Sequence, residues 1–208
     1  AQALSAGGDA GGGLTLSGAA LSAPVVDLGD AAALPPVALA NGGAAPVRVV
    51  IGATAVPVDP PRAGGTAFKI ARHYFTEAGL PVDPAQVALG TRLVAVLEVL
   101  PLGPADGRLL IADPLPAGFE IDNPNLLTSG ETGDLAWLGE TGTADMTEFR
   151  QDRFAAAVNA SGSDPIRLAY RLRAVTPGRF HHPAASVEDM YRAERRAWTD
   201  SGTTTITR

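Results

Sequence analysis

One segment, Ile166–Ala174, constrains the fold more than any other part of the sequence. It reads Ile-Arg-Leu-Ala-Tyr-Arg-Leu-Arg-Ala, so that apolar side chains alternate with basic or small ones. A period of two is typical of a β-strand that has one buried and one solvated face. We therefore expect Leu168 and Leu172 to be buried. On the opposite face, three basic side chains are expected to be largely exposed: Arg167, Arg171 and Arg173.

Further strand candidates follow one another along the chain, separated by turn signals such as Thr176-Pro177-Gly178. They are Leu14–Leu16, Val25–Leu28, Val37–Leu39, Val47–Ile51, Phe68–Phe75, Arg92–Leu100, Arg108–Ala112, Phe149–Val158 and Thr203–Thr207. Arg92–Leu100 is apolar on both faces, as expected of a central strand in a sandwich. The 24 glycines and 17 prolines also suit many short strands joined by turns. The sequence therefore predicts an all-β fold, an antiparallel β-sandwich preceded by a small β unit.

Turn chemistry predicts two hairpins between neighbouring strand candidates. Asn41-Gly42-Gly43 favours positive φ and is expected to join the strand candidates on either side of it. The polar turn Asn159–Asp164 is expected to pair Phe149–Val158 with Ile166–Ala174 in an antiparallel hairpin. One later segment, Glu188–Ala197, is open to one or two helical turns instead of a strand.

A proline- and glycine-rich stretch from Pro57 to Gly65 marks the boundary between two parts of the chain. Its prolines stiffen the backbone and lack the N–H that a β-ladder needs as a donor, whereas its glycines make the backbone flexible again. The Ala/Gly-rich start of the chain has too little apolar surface to offset its ordering entropy. We therefore predict a flexible lead-in at residues 1–13, a small β unit at 14–57, a linker at 58–65 and the sandwich at 66–208. Because the sequence starts at Ala1 without Met or a signal peptide, we expect Ala1 to be a cut end.

Composition argues against several classes of function. The chain has no cysteine, which excludes a disulfide, a thiol nucleophile and Cys-ligated zinc. A net charge of −6 argues against a nucleic-acid partner, for which a basic face is expected. The sequence has no Gly-x-Ser-x-Gly elbow of a serine hydrolase and no apolar run of transmembrane length.

The titratable residues form no pattern that is typical of catalysis or metal binding. His181 and His182 are adjacent, so on a strand they point in opposite directions and do not easily reach one metal. Together with His73 they are predicted as surface or strand-end residues. The pair Glu188-Asp189 lacks the acidic spacing of a calcium loop and is predicted as a solvated turn. We therefore expect no metal, no cofactor and no enzymatic activity.

Three blocks of sequence carry a resemblance to a known family. They are LLIADPLPAGFEIDNPNL (Leu109–Leu126), RQDRFAAAV (Arg150–Val158), and YRLRAVTPGRF (Tyr170–Phe180) followed by VEDMYR (Val187–Arg192). In this order they resemble the C-terminal end of bacterial α2-macroglobulins. The resemblance implies a C-terminal macroglobulin-like domain at 66–208 and the C-terminal part of a CUB-like unit at 14–57. It also implies that the chain is a piece of a broad-range, protease-trapping inhibitor of the bacterial periplasm.

The same resemblance points to Met190 and Tyr191 as functional residues. In the family, a Met-Tyr pair shields the thioester of a separate domain from water and premature nucleophiles, and these two residues match that pair. The implied partner is the thioester domain of the same parent chain. Target proteases would be met through the parent, and any membrane anchor would belong to a missing N-terminal region. Ala193 stands where relatives usually have proline, and spacing alone favours packing of the Met-Tyr pair on its own sandwich.

Two functions from other classes remain as alternatives to the inhibitor. A cell-surface or adhesin-type β-sandwich could serve as a spacer or binding module. Residues 68–208 show no internal repeat, which mildly favours the inhibitor over a tandem adhesin. A carbohydrate-active β domain needs an aromatic platform, and an aromatic content of 5% makes it the weakest of the three.

Overall fold

The computed structural model describes residues 2–7, 13–21, 23, 25–30, 36–54, 59–122, 135–139, 142 and 144–208. The chain divides into two compact units, residues 1–58 and 59–208. In the described part, the regular structure consists of β-strands and one 3₁₀ helix, Ala136–Leu138, and no helix there is long and apolar enough to cross a membrane.

The strands are numbered in chain order. They are β1 (Gln2–Gly7), β2 (Leu14–Leu16), β3 (Ala19–Ala20), β4 (Val25–Gly29), β5 (Leu39–Asn41), β6 (Arg48–Ala53), β7 (Gly64–Gly65), β8 (Phe68–Phe75), β9 (Gln86–Ala88), β10 (Arg92–Pro101), β11 (Ala105–Pro114), β12 (Phe119–Ile121), β13 (Met146–Phe149), β14 (Arg153–Gly162), β15 (Ile166–Ala174), β16 (Gly178–His182), β17 (Ser186–Asp189), β18 (Arg192–Trp198) and β19 (Gly202–Thr207).

The described residues of the first unit form two three-stranded sheets, ordered β4-β1-β6 and β3-β2-β5. Strand β1 is paired on both sides, with β4 and with β6. At Gln2–Gly7 the structure therefore differs from the flexible lead-in predicted at residues 1–13, because this segment is a central strand. Residue 1 and residues 8–12 lie outside the described part. A segment with few large apolar side chains can take this place since ladder hydrogen bonds use only the backbone.

The turn at Asn41-Gly42-Gly43 does not close a hairpin. Strand β5 before it pairs with β2 and strand β6 after it pairs with β1, so the predicted pairing is wrong. Asn41 closes a local loop instead, since its side chain accepts from the Gly43 N–H at 3.0 Å and donates to the Ala45 carbonyl at 2.9 Å. The turn satisfies its own backbone, which leaves both strands free to pair elsewhere. Assignment of this unit to a CUB domain remains a prediction.

The stretch predicted as a linker at 58–65 is partly built into the second unit. Strand β7, Gly64–Gly65, pairs with β18 at the edge of a sheet. The indole N–H of Trp198 also donates to the carbonyl of Arg62 at 2.7 Å. Residues from Arg62 onward therefore belong structurally to the second unit, whereas residues 55–58 lie outside the described part.

The second unit is an antiparallel β-sandwich, which confirms the predicted fold class. One sheet has the order β12-β15-β10-β8 and the other the order β13-β14-β11-β17-β18-β7. A smaller sheet, β16-β19-β9, contains the parallel pair β19 and β9. Both large sheets contribute fully buried side chains to one core, among them Leu93, Leu97, Tyr170, Leu172, Leu109, Ile111 and Val187.

Strand β15 buries the face that its alternation predicts, with Leu168, Tyr170 and Leu172 in the core. The expectation that the other face of β15 is exposed to solvent is wrong for Arg171. Its side chain is mostly buried, and its Nε lies 4.0 Å from Glu77 Oε1. The cause is a second apolar cluster on the outer face of this sheet, in which Leu135 and Leu138 cover Val94, Val96 and Ala169.

The predicted hairpin between Phe149–Val158 and β15 is also wrong. The segment is two strands, β13 and β14, joined by a turn in which the Arg150 N–H donates to the Arg153 carbonyl at 2.9 Å. Strand β14 then pairs with β11, whereas β15 pairs with β10, so the two lie in opposite sheets. Their apolar faces meet across the core, where Phe154 stacks on Tyr170 with ring centroids 4.7 Å apart.

Candidate functional site

The residues matched by resemblance, Met190 and Tyr191, form the tip of the hairpin between β17 and β18. Asp189 and Arg192 are the last paired residues on either side, so the loop contains only these two residues. Met190 is 50% exposed and Tyr191 is 82% exposed. Both side chains therefore project from the domain, and the alternative of packing on their own sandwich is wrong. The helical turns considered for Glu188–Ala197 are wrong as well.

The tip is anchored in the sandwich through the strand that leads into it. Val187 is fully buried in the core, and β17 pairs with β11 on the side opposite β18. Beyond the last paired residue, the N–H of Met190 donates to the carbonyl of Arg108 at 2.8 Å. The backbone at the tip is therefore held on β11, although the two side chains point away from it.

A buried carboxylate lies directly beneath the exposed pair. The residue Asp189, predicted as part of a solvated turn, is only 1% exposed. Its Oδ1 accepts from the N–H of Tyr191 at 3.0 Å and from the N–H of Arg192 at 3.2 Å, and its Oδ2 accepts from Arg192 Nε at 2.7 Å. Burial disfavours the charged form, but these donors and the Arg192 charge outweigh it and hold the pKa of Asp189 below its usual value.

The sequence around the turn gave only a weak local signal for this carboxylate. Its donors are two backbone N–H groups that converge only after the loop has formed, and a guanidinium that folds back over the strand. An acidic residue at the first position of a turn is a known preference. That preference is the one feature of the sequence that could have identified Asp189.

A second polar cluster lies inside the sandwich and away from solvent. Arg72 and Asp113 form an ion pair whose side chains are almost fully buried. The Tyr170 hydroxyl donates to Asp113 Oδ2 at 2.7 Å, and Arg72 donates to the Pro183 carbonyl at 2.8 Å. Because both charges are paired and hydrogen-bonded, the cluster satisfies the requirements of a buried ion pair and has a structural role.

One histidine belongs to the same region of the core. His182 is the last residue of β16 and so lies at a strand end, one of the two predicted positions, but it is buried and hydrogen-bonded to the Tyr74 hydroxyl at 2.8 Å. His73 and His181 are exposed as expected. Burial, and then the charges of Arg72 and His181, lower the pKa of His182 to about 3. Its neutral ring serves packing and hydrogen bonding inside the fold.

The described residues contain no cluster of His, Cys, Asp and Glu that could hold a metal ion. The hairpin tip itself carries a thioether and a phenol, and neither is a ready nucleophile at neutral pH. What the tip presents is a small apolar surface with one hydroxyl at its edge. This surface is suited to covering a group on another molecule or domain.

Comparison with known proteins places the tip inside a matched region. The family described as "Bacterial Alpha-2-macroglobulin MG10 domain" matches residues 68–194. A Xylella fastidiosa protein named alpha-2-macroglobulin is 32% identical over 161 residues, which are 74% of this chain and 10% of that protein. The chain therefore spans about a tenth of the length of this curated relative.

Solved structures show the same likeness. The structure of Salmonella alpha-2-macroglobulin reacted with methylamine matches with a TM-score of 0.76 at 29% identity, covering 94% of this chain and 13% of that one. The structure of Escherichia coli alpha-2-macroglobulin activated by porcine elastase matches with a TM-score of 0.63 at 28% identity, covering 83% of this chain and 16% of that one.

Proposed function

This chain belongs to the bacterial α2-macroglobulin family, and on that premise we propose that it is the C-terminal part of a broad-range protease-trapping inhibitor. In this proposal its task is to cover the thioester of a neighbouring domain with Met190 and Tyr191. The observation that carries the proposal is the exposure of this pair, at 50% and 82%, on a hairpin tip within the matched region, together with its resemblance to the Met-Tyr pair of the family.

The two solved relatives support the two halves of this proposal. A form of the E. coli protein is described as activated by porcine elastase, which fits a parent that responds to proteases. The Salmonella protein is described as reacted with methylamine, which fits a parent with an amine-reactive bond. This chain has no cysteine, so a thioester sulfur would come from another part of the parent. Family membership favours this role over that of an adhesin-type spacer.

The chemistry explains why a cover is needed. Water attacks a thioester at its acyl carbon, the C–S bond breaks, and the departing thiolate takes up a proton to give a thiol beside a carboxylic acid. A small amine reacts in the same way and leaves an amide. Both reactions need the nucleophile to reach the acyl carbon, so a Tyr ring and a Met thioether packed over that carbon slow both.

Burial of the tip would also supply binding energy. Full burial of a large apolar side chain that is otherwise exposed contributes about 1.5–3 kcal/mol. Ordering of the interface offsets part of that gain. The partner in this proposal is the thioester domain of the same chain, and the parent would act in the periplasm, where it meets foreign proteases.

The test compares release of free thiol from the whole parent protein before any protease is added. Tyr191→Ala and Met190→Ala are expected to speed this release at least roughly tenfold, equivalent to about 1.4 kcal/mol of lost protection. The matched control is Met146→Ala, because Met146 is 65% exposed but lies on β13. Equal rates in wild type and Tyr191→Ala would remove the shielding role.

A further inference from the structure

We infer that Asp189 is the positioning residue of the shield: its buried carboxylate holds the backbone of the Met190–Tyr191 loop in the turn that projects both side chains. The geometric part of this inference stands on the structure, and its consequence for thioester lifetime rests on the proposed function. The inference does not require the side chain of Met190 or of Tyr191 to contact any other part of the chain. The carboxylate would act on the shield through the backbone of the loop and through the Arg192 side chain.

The loop lacks the backbone conformation that usually stabilises a hairpin of this size. Two-residue hairpin loops favour turns in which one or both loop residues have positive φ, which is why Gly and Asn are common there. Among the non-glycine residues that the structure describes, only Ser17 has a positive φ, so both tip residues have negative values. A large Met and Tyr can occupy the loop for that reason, but the turn then needs support from outside its own backbone.

The pairing of the two strands shows that the turn does not follow the regular register. Glu188 lies opposite Arg196, whereas the next residue, Asp189, lies opposite Arg192. Three residues of β18 therefore bulge beside the tip, and Ala193 is the first of them. A bulge of this kind re-aims the side chains of a strand end, and it leaves the closing pair dependent on side-chain bonds.

Asp189 supplies that support from inside the fold. Its Oδ1 accepts from two consecutive backbone N–H groups, those of Tyr191 and Arg192, which are the donors that an open loop leaves unpaired. Its Oδ2 accepts from Arg192 Nε, so the loop is closed by a charge-assisted bond as well. Since the carboxylate is only 1% exposed, water does not compete freely for these donors.

Strand β11 is shaped to receive this arrangement. A Cβ placed on Gly107 would lie 2.9 Å from Asp189 Oδ2 and 2.6 Å from an Arg192 guanidinium nitrogen, so this position has no room for a side chain without displacing the pair. The Arg192 guanidinium also donates to the carbonyl of Asp106. The absence of a side chain at Gly107 thus allows Asp189 and Arg192 to lie flat against the sheet.

A tip fixed in this way loses little conformational freedom when it docks. Preorganisation of this kind strengthens binding by lowering the entropy cost of ordering the loop. The stability of the Asp189 turn should therefore set the fraction of time for which the shield covers its target. Asp189→Ala removes the acceptor, whereas Asp189→Asn keeps one side-chain oxygen for the backbone N–H groups but loses the charge and the second oxygen, which accepts from Arg192 Nε.

The first measurement is made on the 208-residue chain and does not depend on the proposed function. Hydrogen exchange of the Tyr191 and Arg192 amides, followed by NMR, should be roughly tenfold or more faster in Asp189→Ala, since an opened turn loses its acceptor. Asp189→Asn should stay closer to wild type. Gly107→Ala tests the same turn from β11, and Gly103→Ala is its matched control because a Cβ at Gly103 meets open space.

The second measurement is thiol release from the parent carrying the same substitutions. Asp189→Ala should approach the rate of Tyr191→Ala, and the double variant should be no faster than Tyr191→Ala alone. Unchanged amide exchange in Asp189→Ala overturns the positioning inference. Faster exchange with normal thiol release, while Tyr191→Ala accelerates release, overturns its consequence for the shield. If neither variant changes thiol release, the proposed function fails and the positioning of the turn by Asp189 still stands.

Discussion

Replacement of Leu172 by alanine should destabilise the second unit by about 2–5 kcal/mol, the range for deletion of a core leucine side chain. Leu172 is only 1% exposed, and it lies on β15 directly opposite Leu93 of β10, which is fully buried. The surrounding strands are hydrogen-bonded on both sides, so the backbone has little freedom to collapse into the space that is left. We therefore expect a value in the upper half of that range.

Urea unfolding followed by tryptophan fluorescence measures this cost for the second unit alone, because both tryptophans, Trp137 and Trp198, lie within residues 59–208. A loss of about 4 kcal/mol would lower the midpoint by about 2 M if the slope is about 2 kcal/mol per M. Leu100→Ala is the matched control, since Leu100 lies on β10 of the same sheet but is 44% exposed. A cost below about 0.5 kcal/mol for Leu172→Ala would refute the assigned register.

Two further predictions concern the limits and the pH dependence of the second unit. Residues 59–208 should fold alone with one cooperative melt. A chain starting at Thr66 should melt at a lower temperature, because it lacks β7 and the Arg62 carbonyl that binds Trp198. Equal melting temperatures would show that this edge of the sheet contributes nothing to stability. The pKa of His182 is about 3 in the folded state and about 6.5 as a free side chain. Between these two pH values the unfolded state binds a proton that the folded state does not. The free energy of unfolding should therefore fall as the pH drops from about 6.5 to 3, by at most about 1.4 kcal/mol per pH unit. His182→Asn should flatten this part of the profile relative to wild type, and His73→Asn, at an exposed histidine of β8, should leave it unchanged.

The features that the sequence predicted correctly are those written in the local pattern. The alternation in β15 and the doubly apolar run in β10 identify a half-buried and a central strand, and both lie where expected. The exposed tip is different, since spacing alone favoured packing of Met190 and Tyr191 on the sandwich. Its identification came from the resemblance of a longer string of residues.

The features that the sequence did not predict depend on partners far away in the chain. The alternating patterns of β14 and β15 are compatible with two arrangements, either hydrogen-bonded neighbours in one sheet or strands that face each other across the core. The structure has the second arrangement. His182 is buried because Tyr74, 108 residues earlier, provides its hydrogen bond. Arg171 is shielded from solvent because Leu135 and Leu138 cover that face of the sheet.

The surroundings of the tip explain how the domain can keep Tyr191 82% exposed. Charged side chains surround the apolar pair: Glu188 and Glu194 are exposed, and Arg192 is half-buried. A small apolar centre with a polar rim is the arrangement found in specific protein interfaces, and an isolated patch of this size does not by itself promote aggregation.

A ring with no task would be replaced by a polar residue without cost to the fold, because nothing in the sandwich rests on it. The buried Asp189, in contrast, has a cost of its own, since an acid placed in the fold must be fully paired. A buried carboxylate that bonds the backbone beneath an otherwise dispensable ring is best explained if the position of that ring is what the hairpin provides.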